Sequence, residues 1–392
     1  MDLLATPAPP VPADLQAPAP AALQPPACTG GGAPWWVQAG ALAGVPGRAD
    51  AGAAEAHYRF GDAHLALAAP AALRAELEDR YGDCAIASEP AAGARVQRCR
   101  VRMRDDGIAL VDFVAPAVDA FGTALALLEH PANAPLFREV AAPAPGWRAI
   151  ARTSTGIPLV AARGGQLLVD APDAPEGFLP DLLLSPVLAM QRELLFVHAA
   201  SLDVGGAGVL LIGPSGSGKT TTALTLAARG HGYLGDDMAV IHAAASSLLP
   251  LRSTANLRPG PHPQALAARV RGGRWDPPHS DGQPRLRVRV TEVFPASAAA
   301  PVPLARVLFL RRFAPQPAVE PFDATPGSLG SLAPLGLNRA LWLAWGITPH
   351  RRLLQFMAFM RLLARARCAW LDVGGIEATA DLIERTMEDS WH

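Results

Sequence analysis

The sequence predicts an α/β fold built around a phosphate-binding loop, and three observations carry that expectation. The run Gly213-Pro214-Ser215-Gly216-Ser217-Gly218-Lys219-Thr220 fills the pattern G-x-x-x-x-G-K-S/T without a mismatch. The stretch before it, Gly208 to Ile212 (GVLLI), is a short apolar run with β-branched residues, as a buried strand requires. The stretch after it, Thr221 to Arg229, carries Ala223, Leu224, Leu226 and Ala227 at helical spacing and stops before Gly230. Strand, glycine loop and helix are the context in which the pattern becomes a structural statement.

The residue types follow from the chemistry. Glycines let the backbone curl so that successive N–H groups point at phosphate oxygens, beside the positive end of the following helix. The expected nucleotide-binding residues are Gly213, Pro214, Ser215, Gly216, Ser217, Gly218, Lys219, Thr220 and Thr221. Lys219 would reach the β- and γ-phosphates of ATP, and the Thr220 hydroxyl would ligate Mg²⁺. The structural alternative is a glycine turn that merely joins a strand to a helix. Composition argues against it, because Lys219 is the only lysine in 392 residues and the other 33 basic residues are arginine. A compact ammonium and a wide planar guanidinium are not equivalent in a phosphate cradle.

Downstream, Tyr233-Leu234-Gly235-Asp236-Asp237 leads into the apolar Met238-Ala239-Val240-Ile241. Acidic residues borne on a strand beside a phosphate loop hold Mg²⁺ or orient the nucleophile. Side chains alternate along a strand, so the two carboxylates are expected to diverge, one towards the metal and one towards the acceptor. A solvated turn ending the strand is the alternative. Upstream, His198 follows Leu194-Leu195-Phe196-Val197; a lone histidine beside an apolar run is more often structural than catalytic.

These residues resemble the catalytic core of bacterial HPr kinase/phosphorylase and its HPr-kinase-like relatives. The shared features are Val197-His198, the loop, Ala223-Leu224, Arg229-Gly230-His231 and Asp236-Asp237, with matching spacing over roughly 45 residues. Arg229-Gly230-His231 is the least ordinary of them, since a generic phosphate loop has no need for it. The resemblance implies a P-loop kinase core of the HPr-kinase/PEP-carboxykinase type. It implies His198 and Lys219 as active-site residues, Thr220 as a metal ligand and Asp237 as the base that takes the acceptor's proton. The family forms hexamers, so a homo-oligomer is open to this chain, but the sequence does not fix the oligomeric state.

The sequence also departs from the family. A downstream glutamate-containing segment that helps hold metal is replaced by Pro250 to Gly260 (PLRSTANLRPG), without a glutamate, and the acidic residue usual after the loop's Ser/Thr is Thr221. The first change puts the phosphorylase half, and HPr as acceptor, in doubt. Arg252 and Arg258 in that segment are candidates for contacting phosphate or the acceptor. The closer resemblance is to the HPr-kinase-like proteins found with peptide-modification systems.

The length predicts two or three domains, and the chain divides into a leader and two domains. Residues 1–33 form an Ala/Pro-rich leader, expected to be disordered or polyproline-like and lacking a signal peptide's basic start and apolar core. Residues 34–182 are expected to form an amino-terminal α+β domain, with hairpins at Gly61-Asp62, Asp105-Asp106-Gly107 and Arg163-Gly164-Gly165 and a helix from Pro70 to Tyr81. Residues 183–392 form the catalytic domain with a helical carboxy-terminal part. Pro180 to Arg192 reads as a helix, residues 244–300 as loop-rich with an arginine cluster (Arg269, Arg271, Arg274), and Trp275 to Arg285 as a polar turn. Arg287 to Val290 and Val307 to Leu310 read as strands, with Arg311-Arg312 near the phosphate site. Asn338 to Ala366 and Ile376 to Met387 read as helices whose Trp342, Trp345, Phe356, Met357, Phe359 and Met360 are core or oligomer contacts.

A net charge of −1 argues against a broad electrostatic role on nucleic acid or anionic membrane. Cys28, Cys84, Cys99 and Cys368 show no metal-ligand spacing and read as reduced thiols of a cytoplasmic protein. The expected activity is transfer of the γ-phosphoryl group of ATP, with Mg²⁺, to a hydroxyl, that of a serine on a protein or peptide. Thr220 and Asp236 are the metal candidates and His198, Lys219 and Asp237 the catalytic ones. Two alternatives stand beside it. One is an ATP-binding switch in a peptide-maturation system; the other is a carboxykinase-like enzyme, which would need a second lysine that the chain lacks. A transport ATPase fits worse, for want of an L-S-G-G-Q signature.

Overall fold

A computed structural model describes residues 55–128, 136–141, 144–175, 177–191, 193–251, 253–258, 275–276, 284–325 and 349–388. The leader, Arg252, the arginine cluster at Arg269, Arg271 and Arg274, and Trp342 and Trp345 lie outside the described residues. What is described is mixed α/β, organised on two nine-stranded sheets.

The first sheet opens with a hairpin of β1 (Ala56–Phe60) and β2 (Ala63–Ala68), turned by Gly61 at φ +63°. Helix α1 (Ala71–Tyr81) buries Leu73, Leu77 and Tyr81, the spacing of one helical face. Beyond the short β3 (Ala85–Ile86), which pairs with β1, the chain returns as β4 (Arg95–Met103), parallel to β2. Gly107 at φ +84° turns β4 into β5 (Ile108–Ala115). The sheet is completed by β6 (Phe137–Val140), β7 (Arg148–Arg152), β8 (Pro158–Arg163) and β9 (Gln166–Asp170). The strand order is β3-β1-β2-β4-β5-β9-β8-β7-β6. Helices α2 (Ala120–Leu128) and α3 (Phe178–Met190) pack on it. The boundary drawn at 182/183 falls inside α3, whose Leu182, Leu183, Val187 and Leu188 are buried in the first sheet's core.

That core continues without a break into the second sheet, taking in Leu194, Phe196, Val240 and Leu251. At the junction the buried Gln191 side chain donates to the Phe60 carbonyl and accepts from the Asp62 N–H, fixing the β1–β2 turn against the strand that follows.

The second sheet contains β10 (Leu194–Val197), β11 (Ala199–Val204) and β12 (Ala207–Ile212). Helix α4 (Lys219–Ala228) follows, then β13 (Gly232–Gly235), β14 (Ala239–His242) and β15 (Ser247–Leu249). The segment read as loop-rich holds a three-stranded sheet of β16 (Ala255–Leu257), β17 (Trp275–Asp276) and β18 (Arg285–Val288), so Trp275-Asp276 is strand rather than turn. The main sheet ends with β19 (Val302–Phe313), β20 (Ala318–Phe322) and β21 (Arg367–Val373), interleaved with helices α5 (Pro349–Leu363) and α6 (Ile376–Glu388). β12, β19 and β21 run parallel, with β19 between the other two; β11 and then β13 lie on the opposite side of β12.

The wholly apolar GVLLI run has a physical reason, because β12 is covered on both faces. Val209 and Leu211 pack under α4 and α6, with Leu224, Ala227, Ala380 and Ile383. Leu210 and Ile212 pack on the other face with Phe359, Leu362 and Leu363 of α5. Each of the valine, leucine and isoleucine side chains withdrawn from water here contributes roughly 2 kcal/mol. Met357, by contrast, is an exposed residue of α5.

Arg229-Gly230-His231 lies at the far end of α4 from the loop. The Arg229 guanidinium bridges Glu377, Asp381 and Glu384 of α6, and His231 Nε2 meets Glu384 at 2.8 Å. Gly230, at φ +94°, supplies the left-handed residue that ends the helix. The motif is a clamp between α4 and α6. Arg229→Ala is expected to lower stability by about 1 kcal/mol, as partly exposed ion-pair networks do. A melting curve should show that loss.

Cys84, Cys99 and Cys368 are buried free thiols. Among the described residues no helix is long and apolar enough to cross a membrane.

Candidate functional site

The loop leaves the carboxyl end of β12 and closes on the amino-terminus of α4. Gly213 is packed so tightly that a Cβ there would lie 2.6 Å from Ser217 Oγ and 2.9 Å from Leu310 Cβ. Gly216 and Gly218 take left-handed φ values of +80° and +97°, and Gly218 caps the helix without a side chain. No acidic residue lies in the first turn of α4, so its free N–H groups and the positive end of its dipole face the loop uncompensated.

Lys219 is the first residue of that helix and only 5% exposed. Its Nζ donates to the Gly213 carbonyl at 2.8 Å and to that of Pro214 at 3.1 Å, so the ammonium sits inside the curl of the loop. Burial pulls its pKa down, and the charges of Asp236 and Asp237 oppose that.

The acidic pair does not sit on a strand, as the sequence reading had it, but in the bend between β13 and β14. The two side chains do diverge, for a different reason from pleating: Asp237 adopts φ +60°, a left-handed conformation unusual outside glycine, and the Met238 N–H closes on the Asp236 carbonyl at 2.7 Å. Asp236 is 1% exposed, and its two buried carboxyl oxygens make no hydrogen bond of full geometry, with the Thr220 hydroxyl and the Asp237 N–H the groups that approach them. Burial pushes its pKa up to about 7, the Asp237 charge adds to the rise, and the Thr220 hydroxyl and Lys219 oppose it. Asp237 is exposed. The Ser217 hydroxyl is another buried group beside the loop without a partner.

His198 sits between β10 and β11, and its Nδ1–H donates to the backbone carbonyl of Asp237 at 3.0 Å. Burial, with the Lys219 charge second, lowers its pKa, so the neutral ring with its proton on Nδ1 is the resting form. The ring therefore holds the strained backbone of Asp237 rather than its carboxylate.

Two further groups were not singled out by sequence reasoning. Ser253 Oγ donates to the Asp236 carbonyl at 3.0 Å, and the neighbouring Thr254 N–H and hydroxyl donate to Arg80 and Asp79 at the end of α1. This strut ties the acidic bend to the first sheet's helix, and Arg287 reinforces it by pairing with Asp79 at 2.8 Å. Arg258, already a candidate, does reach the loop: its Nη2 donates to Ser215 Oγ at 3.2 Å. Arg311 and Arg312 do not turn into the loop; both are held by the buried carboxylate of Asp372.

Loop, buried ammonium and two unlike carboxylates thus converge beyond the carboxyl end of a parallel strand, where open α/β sheets bind their ligands. The class this defines is a mixed α/β protein with a glycine loop and a buried ammonium facing a carboxylate pair. Its relatives give that class a family: residues 189–258 match the family model for the HPr Serine kinase C-terminal domain, and the segment is HPr-kinase-like. The HPr kinase/phosphorylase of Pelodictyon phaeoclathratiforme is 50% identical over 52 residues, 13% of this chain and 16% of that one. The HPr kinase/phosphorylase of Aromatoleum aromaticum is 39% identical over 74 residues, 18% of this chain and 24% of that one. The matches thus span a sixth to a quarter of those relatives' length. The solved HPr(Ser) kinase/phosphatase of Coxiella burnetii overlaps at a TM-score of 0.25 with 14% identity, over 49% of this chain and 93% of that one.

Proposed function

We propose that this chain is an ATP-dependent kinase that moves the γ-phosphoryl group to the hydroxyl of a serine on a protein or peptide. The observation that carries the reading is Asp236, a carboxyl with both oxygens buried and short of well-formed hydrogen bonds, beside a buried lysine at a helix amino-terminus. An arrangement that leaves such a group bare is costly unless a ligand completes it. Among the described residues no cluster of three or more His, Cys, Asp or Glu could hold a metal by itself. Asp236 with the Thr220 hydroxyl is a sparse donor set, and it suits Mg²⁺, which keeps several waters and takes phosphate oxygens as ligands. When bound, the ion would supply neutralisation of the charge that builds on the phosphates.

The remaining roles fall to the chain itself. The N–H groups from Ser215 to Thr221 hold the phosphates, and Lys219 stabilises the oxygens of the transferring group. Asp237, exposed beside the buried pair member, accepts the acceptor's proton as the new O–P bond forms and the bond to ADP breaks. His198 fixes the backbone that aims Asp237. The second sheet and its loop carry the chemistry, and the first sheet's helix α1 braces it through the strut of Ser253 and Thr254.

Intact-mass measurement after incubation with ATP and Mg²⁺ tests the reading, on a panel holding HPr, since the matched relatives bear its name, and serine-bearing peptides. A phosphoryl mass gain on one acceptor class is expected. Tight ATP binding with no transfer across the panel would replace the kinase with a nucleotide-governed switch.

A further inference from the structure

We propose that Phe313 is the platform on which the base of the bound nucleotide stacks, a subsite that rests on the ATP-binding reading above. Phe313 is the last residue of β19 and is 66% exposed, whereas Val307, Leu308, Phe309 and Leu310 on the same strand are at most 1% exposed. A single exposed ring at the end of a strand whose middle is buried is ordinary unless its position gives it a partner. Its position supplies one. A methyl group placed on Gly218 would lie 3.6 Å from Phe313 Cε1 and 3.8 Å from its Cζ, with Val373 Cγ1 also at 3.6 Å. The ring edge therefore lies against the residue that caps α4, at the rim of the anion cradle.

Sheet order then decides which end of the nucleotide lies there. The acidic bend leaves β13 and His198 enters β11, on one side of the loop strand, although the same two segments also join β14 and β10, which the sheet reaches through β15 and the start of β19; Phe313 and Val373 end β19 and β21 on the other side. The acceptor and the transferring phosphoryl must meet at Asp237, so the phosphate chain enters the loop from that side. The nucleoside then emerges over the carboxyl ends of β19 and β21. An aromatic face at that point offers stacking to a base, which is largely indifferent to base identity. Arg311 and Arg312, the preceding residues, are anchored on Asp372 and leave the ring as the apolar element of this rim.

Titration of the whole chain with Mg²⁺ and either ATP or inorganic tripolyphosphate separates base from phosphate recognition. Phe313→Ala is expected to weaken ATP by about tenfold or more, the scale of losing one stacking ring, and to leave tripolyphosphate within about twofold. Phe313→Tyr, which keeps the ring, should bind ATP as the parent does. Equal losses for both ligands, or unchanged ATP binding in Phe313→Ala, would overturn the platform alone. A parent protein that binds neither ligand would overturn the phosphate site and the platform with it.

Discussion

Lys219→Ala is expected to lower the rate of phosphoryl transfer by at least about a hundredfold, the scale of removing a preorganised charge aimed at the transition state. The ammonium is already in place before any ligand binds: 5% exposed, donating to Gly213 and Pro214, and set between the loop and two carboxylates. The loop's own carbonyls hold the charge at the cradle before phosphate arrives, and a charge fixed in advance is the condition under which it is worth most. Lys219→Arg should fail almost as badly. A guanidinium needs a planar berth, and the loop curls round a point charge within 3.1 Å of two carbonyls. The arginine variant is the sharper test, since 33 arginines elsewhere show that the chain accepts that residue wherever it can. Initial rates by intact mass would check both variants. A rate within about tenfold of the parent for either would remove Lys219 from the transfer step.

Local pattern made the loop, its strand and its helix legible before any coordinates. So were the three hairpins, whose turns require left-handed residues and whose glycines are Gly61, Gly107 and Gly164. What stayed hidden depends on contacts distant in sequence. The hydrogen bond from Thr254 to Asp79 spans 175 residues, so no window on the chain could show that α1 braces the acidic bend. The same holds for Arg229-Gly230-His231, a motif noticed for its rarity. Its partners sit about 150 residues on, in α6, and make it a clamp rather than part of the site. The divergence of Asp236 and Asp237 was anticipated on the alternation of a strand, yet it arises from one left-handed residue. Sequence pattern reports pleating; it does not report a single φ.

Asp236→Asn and Asp237→Asn are both expected to abolish transfer, and they should part company in stability. The Asp236 carboxyl is pushed up to about 7 by burial, from an ordinary value of 3.8. In the ligand-free protein the folded state therefore keeps a proton that the unfolded chain releases between those two values. Stability from this group is intact below about pH 4, falls as pH rises towards 7, and stays lowered above it. The cost at pH 8 is on the order of a few kcal/mol. An asparagine at 236 carries no charge to bury, so Asp236→Asn should melt higher than the parent at pH 8 in the absence of Mg²⁺ and nucleotide. At pH 4, where the parent carboxyl is protonated, the two should melt alike. Asp237 is exposed, and its replacement should shift the melting point far less at either pH. A variant that gains stability as it loses activity marks a carboxylate held in place against the fold's own preference. Equal melting shifts for Asp236→Asn at pH 4 and pH 8 would show that buried charge is not the cause, and the carboxyl would then be an ordinary hydrogen-bonding group of the bend.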